Sequence, residues 1–219
     1  MRRLTLLLLV VATSARAQEL VHEPQAWFGV FATRPLLGRF VGWFDGHLRL
    51  AFEPAQTFVL LRPGVGFRVR DDMTIWLGYL WAPVWRGGIQ TLSEHRVWQQ
   101  WTWDLTFASG AKLQLRSRLE ERFASGDVGL RFRQMIRAQS AQLKNGFMLV
   151  AWDEVFLAFN DTRFGQRAGF DQNRLFLGVA MPLAPKVRLE AGYFNQYLNR
   201  VDAPDPVRHA AMVNLYLPL

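Results

Sequence analysis

Strict two-residue alternation of polar and apolar side chains is the feature that most limits how this chain can fold. From Lys112 to Phe123 every even position is polar or charged: Lys112, Gln114, Arg116, Arg118, Glu120 and Arg122. The odd positions are mostly apolar: Leu113, Leu115, Ser117, Leu119, Glu121 and Phe123. Successive side chains of a β-strand point to opposite faces, so the segment predicts a strand with one charged and one mostly apolar face.

Similar segments recur along the whole chain and give eleven candidate strands. They lie near residues 25–34, 38–52, 57–70, 73–86, 93–107, 112–123, 128–141, 147–160, 171–182, 186–199 and 207–217. Turn signals separate them by roughly 15 to 20 residues, which is longer than the 8 to 12 expected of a β-sandwich. The pattern favours a transmembrane barrel, although a soluble β-sandwich remains an alternative.

Bacterial single-chain barrels have an even number of strands, so the odd count of eleven suggests that one N-terminal segment is misread. We therefore expect an all-β, antiparallel up-and-down transmembrane β-barrel of ten to twelve strands, with ten as the best count. Residues 38–219 form this barrel, and residues 18–37 are an N-terminal segment or its first strand. Longer outer loops are expected around 86–90, 124–127, 161–169 and 200–206, and tight turns at 71–72, 109–110, 144–146 and 184–185.

The sequence of residues 1–17 predicts a cleaved export signal. Arg2 and Arg3 precede an apolar run from Leu4 to Ala12, and Ala15-Arg16-Ala17 supplies the small residues of a cleavage site. The run is too short for a membrane-spanning helix, which needs roughly 20 residues. An uncleaved anchor is the alternative. Together with the strand pattern, the signal predicts export through the inner membrane to the bacterial outer membrane.

Composition excludes several classes of protein and site. The chain has no cysteine, which excludes disulfides, lipoprotein anchors and cysteine-based zinc sites. Removing the three arginines of the signal lowers Lys+Arg from 26 to 23 against 18 acidic residues, so the formal charge falls from +8 to +5. These arginines are spread singly along strands without a basic block, so we predict no nucleic-acid partner.

Charged residues share one parity across the candidate strands. An arginine facing lipid near the midplane costs roughly 2–4 kcal/mol, and a dozen would exceed the stability of the protein. The sequence therefore predicts a charge network inside the barrel. Its predicted members are Arg62, Arg68, Glu94, Arg96, Asp104, Arg116, Arg118, Glu120, Arg122, Arg131, Arg133, Glu154, Arg174, Arg188 and Glu190. Glu121 and Asp153 fall on the apolar parity and are expected near a rim.

Six segments in a fixed order resemble a known family. They are SEHRVWQQW (Ser93–Trp101), RSRLEERF (Arg116–Phe123), LRFRQMIR (Leu130–Arg137), WDEVFLAFN (Trp152–Asn160), GFDQNRLFLGV (Gly169–Val179) and LEAGYFNQY (Leu189–Tyr197). Together they resemble the bacterial proteins grouped as domain of unknown function 2490. The resemblance covers most of the mature chain and implies an outer-membrane β-barrel of unassigned activity.

No strong catalytic or metal-binding set accompanies this pattern. Ser93 and His95 are weak catalytic candidates, because a Ser–His pair on one face of a strand can support nucleophilic catalysis. The other histidines are scattered without ligand spacing, so we predict no metal and no cofactor. The partners predicted are outer-membrane lipid and the barrel-assembly machinery.

Three functions remain open at this stage. The first is a structural or interaction role with a lumen filled by Arg and Glu. The second is a narrow, anion-preferring channel for small solutes, because rings of arginine favour anions. The third is a lipid-modifying outer-membrane hydrolase. Side chains fill an eight-stranded barrel and 16 strands leave a channel, so ten to twelve strands favour a mostly occluded lumen.

Overall fold

The computed structural model describes residues 19–200 and 203–218, so the predicted signal peptide lies outside the described part. Eleven strands make up that part: β1 Leu20–Pro35, β2 Phe40–Phe52, β3 Ala55–Arg70, β4 Met73–Arg86, β5 Ile89–Thr106, β6 Lys112–Ala124, β7 Asp127–Gln139, β8 Met148–Ala158, β9 Gly169–Ala184, β10 Val187–Leu198 and β11 Asp205–Pro218. Among these residues there is no helix with the length and apolar character to cross a membrane.

The eleven strands form one closed barrel, which confirms the predicted all-β barrel fold. Each strand pairs antiparallel with its neighbours in the chain, and the barrel closes where β1 pairs with β11 in parallel, from Leu20–Asp205 to Thr33–Pro218. The count lies within the predicted ten to twelve and is one above the best count of ten. An even number is required only when the closing pair is also antiparallel, and odd barrels such as a 19-stranded mitochondrial one exist.

The connections differ in length from those expected. We call the barrel end that carries the 159–168 connection the upper end and the opposite end the lower end. At the upper end, the loops expected at 86–90 and 124–127 are two-residue turns, Gly87-Gly88 and Ser125-Gly126. Both residues of each turn have positive φ, as a type I′ hairpin turn requires. At the lower end, the turns expected at 109–110 and 144–146 lie within connections spanning 107–111 and 140–147.

Large apolar side chains cover the outside of the wall. Phe67 pairs with Ile75 and Ile75 with Trp101 across β3, β4 and β5, and all three are exposed. On the far side of the barrel, Leu149 of β8 pairs with Val179 of β9 and both are exposed. The alternation of the sequence thus becomes an apolar outer surface.

Two apolar clusters pack inside the barrel beside the charged residues. One contains Trp27, Val150, Phe176, Ala180, Phe194, Ala210 and Met212, and the other contains Val41, Leu60, Trp76, Leu80, Ala82 and Trp98. Trp98 lies directly over Gly78, where a Cβ atom would come within 2.2 Å of the indole ring and 2.5 Å of the Pro63 carbonyl oxygen. Glycine at this position therefore lets the largest side chain of the second cluster lie flat against the wall.

Several polar side chains also point outward, each bonded to a neighbour on the next strand. The Gln99 amide donates to Glu121 at 3.2 Å and the Asn173 amide to Asp153 at 2.9 Å. Asp153 lies at the centre of β8, away from the rim where we expected it, whereas Glu121 lies three residues from the upper end of β6. Outward carboxylates on this wall are thus hydrogen-bonded to an amide.

Candidate functional site

The densest group of charges in the barrel is built around Glu120, which is fully buried on β6. Arg133 and Arg131 of the next strand approach its carboxylate at 2.6 Å and 2.7 Å. Arg96 of β5 adds a bond at 3.4 Å, and Arg118 lies 3.8 Å away. The alternation of β5, β6 and β7 brings these side chains together because register-paired residues on adjacent strands face the same side.

The network continues along the barrel through three more carboxylates. Glu94 binds Arg96 at 2.8 Å and also Arg122, and Glu154 binds Arg133 at 2.8 Å and also Arg116. Toward the lower end, Glu190 contacts Arg137 and Arg188. Buried charges are tolerated only when paired and hydrogen-bonded, and each of these acids contacts two guanidinium groups. The second oxygen of Glu190 is buried without a hydrogen-bond partner among the described residues.

The connection between β8 and β9 closes onto this network from the upper end. Gln166 is buried there, and its side-chain oxygen accepts a bond from Arg122 at 2.9 Å. Its amide nitrogen donates to the carbonyl oxygens of Leu130 and Asn160. Phe164 lies 5.1 Å from the Arg122 guanidinium. The connection therefore folds into the upper end of the barrel, where the side-chain amide of Gln166 is fully hydrogen-bonded.

A second charged group lies on β2 and β3, and Arg62 is its only member that the sequence predicted. Asp45 is fully buried and accepts bonds from Trp43 at 2.7 Å and Arg62 at 3.0 Å, while His47 contacts its other oxygen at 3.0 Å. The available signal was the alternation of Asp45, His47 and Arg49 with Phe44 and Leu48 along one strand.

Two interior arginines have aromatic neighbours and no ion pair. The Arg49 guanidinium lies 3.8 Å from the centre of the Trp27 ring, and its buried Nε makes no hydrogen bond. The Arg174 guanidinium lies 4.6 Å from the Phe156 ring and 5.6 Å from that of Trp27. With its amide oxygen turned toward Arg174, Gln196 accepts from this guanidinium at 3.2 Å. Within residues 19–200 and 203–218, neither arginine forms a salt bridge.

The structure brings most of the predicted lumen residues together and leaves two outside. Arg62, Glu94, Arg96, Arg116, Arg118, Glu120, Arg122, Arg131, Arg133, Glu154, Arg174, Arg188 and Glu190 all face the interior. Arg68 is exposed near the lower end of β3. Asp104 is exposed near the lower end of β5, where it accepts a bond from Gln114 at 2.6 Å.

Two cavities lie inside the barrel. The upper cavity has a volume of about 640 Å³ and includes Glu94, Arg96 and Gln166 in its lining. The lower cavity has a volume of about 370 Å³ and reaches Lys186 at the lower end. The arginines 49 and 174 line both cavities. Away from both linings, Trp98, Phe156, Phe194, Leu80 and Arg118 are among the least accessible side chains of the barrel.

Ser93 and His95 lie together on the outer face near the upper end, with Ser93 Oγ 3.3 Å from His95 Nε2. Tyr79 contacts the other ring nitrogen of His95, and Trp81 donates to Ser93 Oγ at 3.0 Å. In a hydrolytic triad an acidic or amide side chain holds that second nitrogen. Here the phenol of Tyr79 holds the second nitrogen of His95. The four residues therefore resemble a hydrogen-bonded aromatic cluster at the barrel rim more than a catalytic triad.

Metal ligands are not grouped in the part of the chain that the structure describes. No three His, Asp or Glu side chains come together there as a metal site would require. The closest histidine pair, His22 and His209, is 2.7 Å apart between ring nitrogens and is joined by Tyr193.

Comparisons with known proteins show the family of this chain. An uncharacterized protein of Methylorubrum extorquens strain AM1 is 31% identical over 227 residues, covering 96% of this chain and 94% of its own length. No solved structure matches the chain significantly. The model of the family described as protein of unknown function DUF2490 matches residues 24–206. The chain belongs to this family.

Proposed function

We propose that this protein is an integral outer-membrane β-barrel with an occluded, Arg/Glu-filled interior and a structural or interaction role. The observation that carries the proposal is the largely apolar outer wall around a charged core. Soluble monomers rarely expose contiguous apolar patches larger than a few hundred Å². Here such side chains face outward on both sides of the barrel.

Strand length and charge placement support the membrane location. The strands have 11 to 18 residues, and a tilted transmembrane strand needs about 9 to 11. Outward tryptophans such as Trp101 and Trp103, with outward tyrosines, suit the aromatic girdles of such barrels. Export by the predicted signal at residues 1–17, insertion by the barrel-assembly machinery and contact with outer-membrane lipid complete this proposal.

The packed middle of the barrel supports an occluded lumen over a conducting channel. Salt-bridged arginines such as Arg118 and aromatic side chains such as Trp98 and Phe156 are inaccessible inside the barrel. Gln166 of the 159–168 connection is buried at the upper end and bonded to Arg122. The outer surface around Ser93 offers no arrangement that favours a hydrolase. The connections and the outer wall are therefore the surfaces left for interaction with partners.

Labelling from within the bilayer tests the membrane location. We expect a lipid-soluble photoreactive probe to label the side chains of Leu113 and Leu115. Cysteines introduced in place of Arg116 and Arg118 should stay unlabelled. Heat-modifiable migration of the purified chain on a gel provides the matched folding control. Selective labelling of the arginine positions in the folded protein would overturn the proposal.

Planar-bilayer recording tests the occluded interior separately. We expect no stepwise conductance from the purified protein, because fully buried side chains fill the centre of the barrel. Anion-selective steps that change with Arg118→Ala would instead show a conducting lumen. The Arg68→Ala variant is the matched control, since that arginine is exposed at the lower end.

A further inference from the structure

The lower cavity combines aromatic walls with an excess of positive charge. Its lining includes five aromatic side chains besides histidine: Trp27, Phe31, Trp43, Trp152 and Tyr216. Seven arginines and Lys186 also line it, against the single carboxylate of Glu154. That carboxylate is already bound by Arg116 and Arg133. The cavity therefore has cationic groups whose charge its own walls do not balance.

The same imbalance holds for the interior as a whole. Ten arginines form its ion pairs: Arg62, Arg96, Arg116, Arg118, Arg122, Arg131, Arg133, Arg137, Arg188 and Arg208. Seven acids accept them: Glu23, Asp45, Glu94, Glu120, Glu154, Asp171 and Glu190. Together with Arg49 and Arg174, the named arginines number twelve against these seven acids, a difference of five positive charges.

Two arginines of this surplus line both cavities. Arg49 and Arg174 both lie near the Trp27 ring, and among the described residues no acid forms a salt bridge with either. Cation–π contact offsets part of the cost of burying a guanidinium group, but it does not neutralise the charge. A bound anion would supply the missing hydrogen-bond acceptors, because a carboxylate matches the geometry of arginine donors.

The size and walls of the cavity define the rest of the ligand. Small-molecule sites have volumes of about 300 to 1,000 Å³, are mostly apolar or aromatic, and hold a few placed polar groups. The lower cavity, at about 370 Å³, has room for one or two fused rings. Flat rings would pack against tryptophan and tyrosine faces better than a flexible chain would, because aromatic pairs favour stacked or edge contacts.

We propose that the lower cavity binds a small aromatic carboxylate whose acid group pairs with Arg49 and Arg174. The aromatic walls then contact its ring. This proposal goes beyond the structural role given above, since it depends on the closed barrel and its interior and not on the lipid around it. Loss of ligand binding would leave the membrane location intact, and the labelling experiment would leave ligand binding untested.

Calorimetric titration of the purified full-length protein in detergent tests the proposal with 2-naphthoate as the probe. We expect saturable binding at one site, after subtraction of titrations into micelles alone. Neutral 2-naphthamide, which has the same ring system, and inorganic phosphate, which has no ring, should each bind at least about tenfold more weakly. One charge-assisted hydrogen bond has that magnitude.

Matched arginine variants assign the binding to this site. Arg49→Gln and Arg174→Gln should each weaken 2-naphthoate binding by about tenfold or more. Arg208→Gln is the control, because that arginine lines the upper cavity and pairs with Glu23. All three variants should keep the heat-modifiable migration of the folded barrel. Equal binding of naphthamide or phosphate, unchanged binding by both variants, or no saturable binding would overturn the proposal.

Discussion

Arginines inside this barrel are accommodated in two different ways, depending on the region. On β5 to β8 they face carboxylates, and Glu120 alone contacts four guanidinium groups. Near the seam between β1 and β11, Arg49 and Arg174 face Trp27 and have no acid within ion-pair distance among the described residues. In one region every buried arginine contacts a carboxylate, and in the other the guanidinium groups contact aromatic rings instead.

This difference determines how each region responds to mutation. Removing one partner from a buried ion pair leaves an uncompensated charge in a medium of low dielectric constant, which is strongly destabilising. Removing a buried cation that has no acidic partner removes a desolvation cost and loses its contacts with aromatic rings and, for Arg174, its bond to Gln196. The same residue type is therefore structural in one region and suited to ligand binding in the other.

The largest expected effect is that of Glu120→Ala in the paired region. It leaves several buried guanidinium groups without their acceptor, so we expect the free energy of unfolding to fall by about 3 to 5 kcal/mol. Urea titration of the protein in lipid vesicles, followed by tryptophan fluorescence, measures the change. Glu121→Ala is the matched control, since it changes the same residue type on the outer face and should cost less than about 1 kcal/mol. Equal losses for both variants would remove the distinction between inside and outside.

A smaller loss is expected from Gln166→Ala in the connection that closes the upper end. The change removes the acceptor of Arg122 and frees two carbonyl oxygens, at a cost of about 1 to 3 kcal/mol. The same urea titration applies, and limited proteolysis of the 159–168 connection provides a second measurement. Unaltered stability together with unaltered proteolysis would contradict the inward position of this loop.

The unpaired region should respond in the opposite direction. We expect Arg49→Met to raise the free energy of unfolding by about 1 kcal/mol, because methionine keeps an apolar contact with Trp27 and removes a buried charge. Thermal loss of the heat-modifiable gel band reports the sign of the change. A decrease as large as that for Glu120→Ala would mean that Arg49 has an acidic partner after all.

The smallest effect is expected at Arg68, which shares the interior parity but is exposed. Arg68→Ala should change the free energy of unfolding by less than about 0.5 kcal/mol, as is usual for surface positions. The urea titration used for Glu120→Ala measures it. A loss above 2 kcal/mol would place this side chain inside the network.

Alternation in the sequence predicts the face of a side chain well and its depth poorly. Glu120, Arg131 and Arg133 could be placed inside because they lie on neighbouring strands whose pairing follows from short connections. Arg68 and Asp104 have the interior parity too, but each lies two residues from the end of its strand, where the barrel opens. Depth depends on the stagger of the strands around the closed wall, and that stagger is a property of the whole barrel.

The parallel pairing of β1 with β11, which closes the barrel, could not be predicted from the sequence. Local turns specify antiparallel hairpins, whereas no turn links the first and last strands and nothing local selects a parallel closing pair. The even-strand rule therefore gave a best count of ten although eleven segments alternate. The contact of Trp27 with Arg174, and with it the unpaired region, exists only once that pair has formed.

Closure by β1 and β11 also has a kinetic consequence. Their paired residues are separated by 185 positions, from Leu20 with Asp205 onward, so this seam carries the largest loop-closure entropy of any pairing in the sheet. Hairpins can form one after another from β2 to β10. The two outer edges of the open sheet still lack hydrogen-bond partners until β11 pairs with β1. Amide hydrogens at this junction should accordingly gain protection last during refolding and lose it first when the native wall opens.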